Sequence, residues 1–353
     1  MRVLVVCDWF LKYASPQAAA LRDLGVDAAL LCRDHAQEFG GAADEVEKTL
    51  GAVHAAGVSV FQLPGRVSSA KDLPTVVRTL ATVCRWAPDV VHAHDNHDPR
   101  LLLAAGGYRV ALTIHDPSPH PGAPRLPAAK RAIRAAWLRR AQRLVVHSDS
   151  LKKELAAADL TRVWVMPLGV EPAATPLRRP PERCVLFFGR LQTYKGLPVL
   201  LAAMRLVWSH RPDVRLLVLG EGPEAARLPA DERIERSIGY VPESAIEPML
   251  RRASLVVLPY TQASQSAVGL LALARGVPAV VSDVGALPDL ALDRSFVVPP
   301  ENPRELAAAI VRHLDHSASV REAALQRAQH QFSWRVVAER SVELYNEMLA
   351  EAR

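Results

Sequence analysis

Length, composition and charge limit what this chain can be. At 353 residues, half of them apolar, it is too long for one ordinary core and is rich enough in apolar side chains for two domains. No run of about 18 uncharged apolar residues occurs, which argues against a membrane-spanning helix. The net charge of +6 and the isoelectric point near 9.3 indicate an anionic partner, whether nucleotide, nucleic acid or lipid headgroup.

The N-terminus and the cysteines indicate a cytoplasmic protein. The opening MRVLVVCDWF carries one basic residue and then an acidic one inside a short apolar run, which predicts a first strand rather than a secretory signal. The four cysteines lack CxxC spacing and are predicted to be buried, reduced thiols, with neither disulfides nor a zinc site. They are Cys7, Cys32, Cys84 and Cys184.

Short β-like runs alternate with helical patterns through the first half of the chain. Amphipathic stretches such as 16–24 and 75–86 separate the runs. The predicted strands are Val3–Val6, Ala28–Leu31, Val58–Phe61, Val90–His92, Val110–Ile114, Leu144–Val146 and Val163–Val165. Buried strands separated by helices predict a parallel sheet with crossover helices.

Residues of the metal-ligand type follow the fourth and fifth predicted strands. The segment from His92 to Asp98 reads HAHDNHD, a near match to the HxHxDH pattern of binuclear zinc hydrolases, but Asn96 replaces an anionic ligand. His115, Asp116 and His120 follow the next strand. Polar side chains gather at the strand ends of any doubly wound domain, so we favour this explanation of both clusters and expect no metal site.

A basic segment spans residues 125–143. Its cations surround an apolar stripe of Ile133, Trp137 and Leu144. The pattern fits a helix lying on an anionic membrane surface, and it fits equally a solvated helix that packs its stripe into the domain. The cations are Lys130, Arg131, Arg134, Arg139, Arg140 and Arg143.

A proline-rich stretch interrupts the alternation. The segment 171–183, EPAATPLRRPPER, holds four prolines and no apolar periodicity, which predicts a linker. The strand pattern then resumes with Val185–Phe188, Val214–Leu219, Ile234–Ile238, Leu255–Leu258, Ala279–Val281 and Ser295–Val298. We therefore predict an α/β protein of two doubly wound, Rossmann-like parallel sheets that face each other across a cleft.

The domain boundaries follow from these patterns. An N-terminal, acceptor-side domain is expected over residues 1–171 and a linker over 172–183. A C-terminal, ligand-binding domain is expected over 184–333. The last segment, 334–353, predicts a long helix that packs back on the N-terminal domain.

The stretch VLFFGRLQTYKGL, from Val185 to Leu197, has the strongest signal for a ligand. A strand breaks at Gly189 into a turn that carries Arg190 and Lys195 to the start of a helical pattern. Two cations at a helix start, where backbone N–H groups and the helix dipole already favour negative charge, predict a diphosphate site. The segment is not a P-loop, because Gly196 stands where Ser or Thr would hold magnesium.

Two further turns carry glycines or hydroxyls. Leu216 to Ala225 matches the dinucleotide fingerprint GxGxx(G/A), but it follows the second strand of its domain rather than the first. After the strand that ends near Pro259, the polar loop of Ser264, Gln265 and Ser266 leads into a small-residue helix. Such a loop is either a second anion cradle or an ordinary βαβ connection.

Taken together, the chain resembles a retaining glycosyltransferase of family 4 with the GT-B fold, over nearly its whole length. The matching segments in the first half are Asp89–His94, Leu112–Asp116, Val146–Ser148 and Met166–Val170. In the second half they are Phe188–Leu191 with Lys195–Gly196, then Leu219–Pro223, Ile238–Pro242, Gly276–Pro278 and Ser282–Gly285.

The resemblance implies a function and a set of site residues. The C-terminal domain would hold a UDP- or GDP-linked sugar and the N-terminal domain a glycan, lipid-linked or small-molecule acceptor, with retention of configuration, no metal or other cofactor and no nucleic acid. Arg190 and Lys195 would contact the diphosphate, and His115 matches the family's histidine near the sugar. The other implied contacts with the donor are Gly189, Tyr240, Val241, Ser264, Gln265, Ser266, Gly269 and Leu270.

The chain departs from the family pattern in two places. Two glutamates common in the last donor motif are replaced by Ala263 and Leu271, and the glycine-rich turn after the first strand by Trp9, Phe10 and neighbouring bulky residues. A catalytically impaired nucleotide-sugar-binding protein therefore stays open as an alternative, as does an NAD-dependent enzyme that modifies sugar nucleotides. The location expected is cytoplasmic, with the basic segment as a peripheral membrane contact.

Overall fold

The computed structural model describes residues 1–33, 36–65, 70–117, 126–178, 180 and 182–351. These form two compact units. Unit 1 comprises Met1–Gly169 together with Trp334–Arg353, and unit 2 comprises Val170–Ser333. His120 and Arg125, which belong to the metal and membrane predictions above, lie outside the described residues.

Unit 1 contains a seven-stranded parallel sheet. Its strands are β1 (Arg2–Cys7), β2 (Asp27–Arg33), β3 (Ser59–Leu63), β4 (Val90–His94), β5 (Arg109–Thr113), β6 (Arg143–Val146) and β7 (Val163–Val165). Their order is β3-β2-β1-β4-β5-β6-β7, so the direction of winding reverses between β1 and β4. Loops that follow these two strands meet at the carboxyl edge of the sheet, where doubly wound folds bind ligands.

Helices cover both faces of this sheet. They are α1 (Leu11–Asp23), α2 (Ala43–Ala55), α3 (Leu73–Trp86), α4 (Pro99–Ala104), α5 (Ala128–Arg140) and α6 (Asp149–Lys152). The strands are apolar on both faces because each face has its own core. In β1, Val3 and Val5 belong to one cluster, whereas Leu4 and Val6 belong to the cluster on the opposite face.

Unit 2 contains a second parallel sheet of six strands. They are β8 (Cys184–Phe188), β9 (Arg215–Gly220), β10 (Ile234–Ile238), β11 (Leu255–Leu258), β12 (Ala279–Ser282) and β13 (Val297–Val298). The order β10-β9-β8-β11-β12-β13 places the reversal between β8 and β11. Its helices are α7 (Leu197–His210), α8 (Glu243–Arg252), α9 (Ala267–Leu273), α10 (Pro303–Leu314) and α11 (Ala318–Arg327).

The last helix, α12 (Trp334–Ala350), belongs to unit 1 although it follows unit 2 in the chain. It packs against α1 and contributes Trp334, Leu344 and Tyr345 to the core on that face of the sheet. Gly169 has no room for a side chain, because a Cβ there would lie 2.3 Å from the Trp334 ring. The described helices include none that is long and apolar enough to cross a membrane.

The fold class predicted from the sequence is confirmed, with three local differences. Only Val297–Val298 of the predicted strand 295–298 is extended, because a 3₁₀ turn occupies Arg294–Phe296. The proline-rich segment is docked rather than free: Leu177 is buried, and its N–H donates to Arg275 O at 2.9 Å. Cys84 is exposed, in contrast to the other three cysteines.

Candidate active site

Glycines bring two loops together at the winding reversal of unit 2. Gly196, with φ of 71°, begins α7, and a Cβ at this position would lie 1.8 Å from Pro259 O. The start of α7 therefore rests directly on the end of β11. Thr261 N donates to Tyr194 O at 2.8 Å and fixes the same pair of loops. Only glycine permits both the left-handed backbone and the close approach.

Arg190 and Lys195 both lie on the turn between β8 and α7. Arg190 Nη2 donates to the Tyr194 hydroxyl at 3.2 Å. The Lys195 ammonium lies over the Tyr260 ring, 3.8 Å from its centroid, and 5.3 Å from that of Tyr194. Among the described residues neither cation has a carboxylate within ion-pair distance. Aromatic faces thus hold Lys195, and the Tyr194 hydroxyl holds Arg190, without neutralising either cation.

Backbone donors add to this positive region. The N-terminus of α7 has no side-chain cap, so the N–H groups of its first turn are not satisfied by a side chain. The helix is 14 residues long, and its dipole favours an anion at this end. Two cations, the N–H groups and the dipole converge where a doubly wound sheet binds its ligand, which is suited to a pyrophosphate.

The loop after β11 approaches the start of α7, but Ser266 bonds mainly to residues of its own segment. The Ser266 hydroxyl caps α9 by accepting from Gly269 N at 3.4 Å and lies 3.3 Å from the Tyr260 hydroxyl. Ser264 and Gln265 are half-buried. Gly269 packs against Leu290, where a Cβ would meet Cδ1 at 2.5 Å, and Leu270 is 1% exposed. Gly269 and the Leu270 side chain thus contribute to packing, which leaves their backbone groups as the atoms that could contact a donor.

The dinucleotide interpretation of the β9 turn is not supported by the structure. Gly220 ends β9 and Gly222 lies on the turn that follows, and this segment packs closely against the turn after β8. A Cβ on Gly220 would lie 1.8 Å from Gly189 O, and a Cβ on Gly222 would lie 2.4 Å from Leu191 O. A short 3₁₀ turn, Pro223–Arg227, follows instead of an α-helix. No long helix N-terminus is available there for a pyrophosphate, as the dinucleotide fold requires. The glycines serve packing.

Tyr240 and Val241 follow β10, two strands away from β8. Gly239 N donates to Gly220 O at 3.1 Å, which joins this loop to the turn that supports Gly189. Tyr240 is 41% exposed. An exposed aromatic ring at this edge of the sheet is suited to stacking on a base.

Unit 1 carries a buried histidine network at the ends of β4, β5 and β6. His94 Nδ1 lies 2.9 Å from His115 Nε2, and His115 Nδ1 lies 3.1 Å from His147 Nε2. At one end His147 Nδ1 lies 3.1 Å from Met166 O, and at the other His94 Nε2 lies 2.8 Å from Gln17 Oε1. We call these five residues the histidine relay.

A second branch of the network reaches the last helix. His92 Nε2 lies 2.7 Å from Thr113 Oγ1, and His92 Nδ1 lies 2.5 Å from the Tyr345 hydroxyl on α12. Gln17 Nε2 lies 3.2 Å from the same Nδ1 atom. Gln17 on α1 therefore connects the branch with the relay.

Burial keeps these imidazoles neutral. Desolvation and the neighbouring histidines lower the pKa of His92 from 6.5 to about 3, and desolvation lowers the pKa of His147 to about 4. The pKa values of His94 and His115 lie well below the ordinary range for the same reason. Neutral rings have one donor and one acceptor each, so the contacts of the relay constrain their tautomers.

His115, the histidine expected near the sugar, is buried among other rings. Both of its ring nitrogens face other histidines, and its ring stacks on Phe10 with centroids 3.8 Å apart. Phe10 adopts a left-handed backbone with φ of 62°, which is unusual for a bulky residue. The aromatic turn that replaces the family's glycines thus covers one face of the expected sugar-contacting histidine.

The residues of the zinc-like motif have other partners. Asp98 caps α4 and pairs with Arg100 at 2.5 Å, and Asp95 pairs with Arg134 at 3.2 Å. Asn96 is buried, with its side-chain amide donating to His94 O. In the part of the chain that the structure describes, no three His, Cys, Asp or Glu side chains gather in a metal-binding arrangement.

The basic helix packs its apolar stripe inward. Trp137 of α5 is 1% exposed within the core of unit 1, and Ile133 packs against the same core. Its exposed cations are Lys130, Arg131 and Arg139. The stripe is therefore not available for insertion into a bilayer, so any membrane contact through α5 would be electrostatic.

Several residues of both sites are missed by sequence reasoning. Tyr260 lies two residues beyond the end of β11, and its position next to a predicted polar loop was the available signal for a residue beside Lys195. Gln17 interrupts the apolar pattern of α1 with a buried polar side chain. Tyr345 looks like an ordinary core residue of an amphipathic helix, and no local pattern indicates its contact with His92.

Comparisons with known proteins agree with this architecture. The model of glycosyltransferase family 4 matches residues 13–174, and that of glycosyl transferases group 1 matches residues 182–316. A glycogen synthase of Mycobacterium tuberculosis is 29% identical over 295 residues, which cover 76% of this chain and 71% of that protein. A D-inositol 3-phosphate glycosyltransferase of Thermobispora bispora is 26% identical over 383 residues, covering 96% and 89%.

A solved structure shares the fold. Anabaena HepE in complex with UDP superposes with a TM-score of 0.71 at 16% identity, covering 98% of this chain and 100% of that one. Two doubly wound parallel-sheet units of this kind define the GT-B class of enzyme. The chain belongs to the family 4 glycosyltransferases, also called glycosyl transferases group 1. It is thus a sugar-transferring enzyme that uses nucleotide-sugar donors.

Proposed function

We propose that this enzyme transfers a sugar from a UDP- or GDP-linked donor, with retention of configuration, to a glycan, lipid-linked or small-molecule acceptor. The observation that carries the proposal is the pair Arg190 and Lys195 beside the uncapped start of α7, at the winding reversal of unit 2. Departure of a nucleoside diphosphate builds negative charge, which preorganised cations stabilise more in the transition state than in the ground state.

The remaining donor contacts follow from the same turn. Tyr240 and Val241 would lie beside the base, and Gly189 would let the backbone approach the phosphates. Ala263 and Leu271 stand where the family often has glutamates. Ser264 and Gln265 would take over their contacts, because a hydroxyl and an amide can accept hydrogen bonds from sugar or ribose hydroxyls. Unit 1, with His115, would bind the acceptor and the transferred sugar.

The diphosphate assignment is tested by binding. Arg190→Ala and Lys195→Ala should each weaken binding of UDP or GDP at least tenfold, since each removes a charge-assisted hydrogen bond. Thermal-shift titration with a panel of nucleoside diphosphates measures the loss, because ligand at about a hundred times its Kd stabilises wild type by roughly 2.7 kcal/mol. Arg304→Ala, an exposed cation on α10, is the control. Normal affinity in both site variants would exclude this turn as the phosphate site.

Turnover separates catalysis from binding alone. Release of UDP or GDP from the nucleotide sugar, measured with candidate acceptors, identifies a transferase. Affinity for the nucleotide sugar without any release would favour the impaired binding protein instead. The anomeric configuration of the product, read by NMR, tests retention.

A further inference from the structure

The partners of the histidine relay determine where its protons lie. The Met166 carbonyl can only accept, so His147 Nδ1, 3.1 Å away, carries a proton and donates. Since His147 is neutral, its Nε2 has a lone pair and must accept from His115 Nδ1 at 3.1 Å. Each proton assignment thus fixes the next one along the relay.

The same step repeats once more. His115 is neutral, so its Nε2 accepts from His94 Nδ1 at 2.9 Å. His94 Nε2 is then left with a lone pair and needs a donor. The group facing it at 2.8 Å is the side-chain amide of Gln17, which supplies a donor when its NH₂ group points to His94.

With the Gln17 oxygen towards His94, the protons of the relay run in the opposite direction, and this arrangement ends in a conflict at the Met166 carbonyl. If Gln17 kept its oxygen towards His94, every histidine would carry its proton on Nε2, and His147 Nδ1 would direct a lone pair at the Met166 carbonyl. A second proton on His147 would remove this clash, but burial holds the pKa of His147 at about 4, so the charged form is disfavoured near neutral pH. A side-chain amide turns easily, whereas a backbone carbonyl does not. Once turned, the Gln17 oxygen occupies the position 3.2 Å from His92 Nδ1, and it accepts a hydrogen bond from a proton on that atom.

We propose that His147, anchored on the Met166 carbonyl, is a positioning residue that holds His115 in the Nδ1–H tautomer through a one-way relay ending at the Gln17 amide. His115 and His94 share this tautomer. The Phe10 ring, stacked on His115, prevents the imidazole from tilting out of the relay. His115 is therefore a neutral ring of fixed orientation and cannot serve as a charged group. The effect on turnover rests on the proposed function, whereas the tautomer does not.

The tautomers are directly observable. Long-range ¹H–¹⁵N NMR spectra of the deuterated full-length protein, labelled with ¹⁵N in histidine, distinguish protonated from unprotonated ring nitrogens. At pH 7 we expect Nδ1 of His94, His115 and His147 to be protonated and Nε2 to be unprotonated in all three. A proton on His115 Nε2, or a doubly protonated ring in the relay, would overturn the proposal.

Two variants of His147 test whether its hydrogen bonds, and not only its volume, determine the tautomer of His115. In His147→Gln the new amide can donate to Met166 O and accept from His115, so the Nδ1–H form of His115 should persist. In His147→Leu the anchor is lost, and the proton of His115 should shift towards Nε2, the tautomer that a solvent-exposed neutral histidine side chain favours in water. Persistence of Nδ1–H in the leucine variant would contradict the anchoring role. If that variant does not fold, the wild-type spectrum alone decides.

Kinetics add a second readout. With the UDP- or GDP-sugar found to be the donor, kcat of His147→Leu should fall about tenfold or more while KM for the donor changes little, because a misplaced ring costs rate rather than nucleotide affinity. His147→Gln should restore most of kcat. Equal kcat in the wild type and the leucine variant would remove the link to catalysis. Absence of turnover in all three would refute the proposed function and leave the tautomer result standing.

Discussion

At the scale of single residues, glycines decide how closely the loops of the donor side approach one another. Gly220 has φ of 128°, and its α-carbon faces the Gly189 carbonyl so closely that a Cβ would lie 1.8 Å from that oxygen. Because Gly189 begins the turn that carries Arg190 and Lys195, the absence of a side chain at Gly220 sets the position of the two cations.

Gly220→Ala should therefore destabilise the protein far more than an alanine at an open position. We expect a loss of at least ~3 kcal/mol, because a backbone group must move, in the range seen for severe packing defects. Gly107→Ala is the matched control: φ is 83° and nothing lies within 4 Å of the added Cβ, so only the ~1 kcal/mol cost of the left-handed backbone applies. Urea denaturation measures the unfolding free energy of both variants. Equal losses of stability would show that the backbone around Gly220 moves aside at little cost.

At the scale of elements, α5 shows that charge pattern alone does not define a membrane helix. The sequence presents cations around an apolar stripe, but Trp137 is buried in unit 1, and Arg134 is paired with Asp95. Only Lys130, Arg131 and Arg139 remain exposed along the helix. A peripheral contact with anionic lipid would therefore depend on these three charges.

Liposome sedimentation tests this contact. If α5 binds anionic membranes, the triple reversal Lys130→Glu, Arg131→Glu and Arg139→Glu should reduce partitioning onto phosphatidylserine vesicles about a hundredfold, since each cation near the surface contributes ~1 kcal/mol. Wild-type binding should also disappear in high salt. Phosphatidylcholine vesicles and a triple reversal at the exposed Arg236, Arg304 and Arg312 are the controls. No sedimentation of wild type at low salt would exclude the membrane role.

How far the sequence predicts each element depends on whether its determinants are local. Buried β-like runs such as Leu255–Leu258 coincide with the observed strands, because an apolar run between turn signals is a local property. The role of Gly220 and Gly222 is not local: the same pattern suits a dinucleotide or a packed turn, and the neighbouring β8 turn decides between them. The placement of Arg190 and Lys195 on one turn was predictable because both residues adjoin their own strand.

The histidine network marks the limit of such prediction. His92 is 253 positions away from Tyr345 in sequence, and Gln17 is 75 positions away from His92. A polar residue on the inner side of α1 indicates that some partner exists, but only the packing of α1 and α12 on the sheet identifies it.

At the scale of the whole molecule, the buried histidines should couple stability to pH. Folding lowers the pKa values of these histidines. Below about pH 6.5 they therefore bind protons in the unfolded chain, whereas in the folded chain they stay neutral. Stability should be constant above this pH, as far as these groups determine it, and fall as the pH decreases towards about 4, where His147 titrates in the folded protein. Each such histidine contributes a slope of ~1.4 kcal/mol per pH unit.

The variant His147→Gln should reduce that slope by one proton. Urea denaturation at several pH values between 6 and 4.5 gives the slope of the unfolding free energy against pH. The slope of the variant should be smaller than that of the wild type by ~1.4 kcal/mol per pH unit. His54→Gln, a change at an exposed histidine on α2, is the control for the substitution itself. An unchanged slope in His147→Gln would mean that the folded protein already holds that proton.

The chain enters unit 1, passes through all of unit 2 and returns to unit 1 with α12. During synthesis on the ribosome, Tyr345 therefore emerges long after His92, its hydrogen-bond partner, and the core around α1 stays open until then. Unit 2 has no such delay, since all of its strands come from one continuous stretch. The order of emergence thus favours completion of unit 2 first, and a nascent chain stalled before Trp334 would expose the apolar surface that α12 later covers.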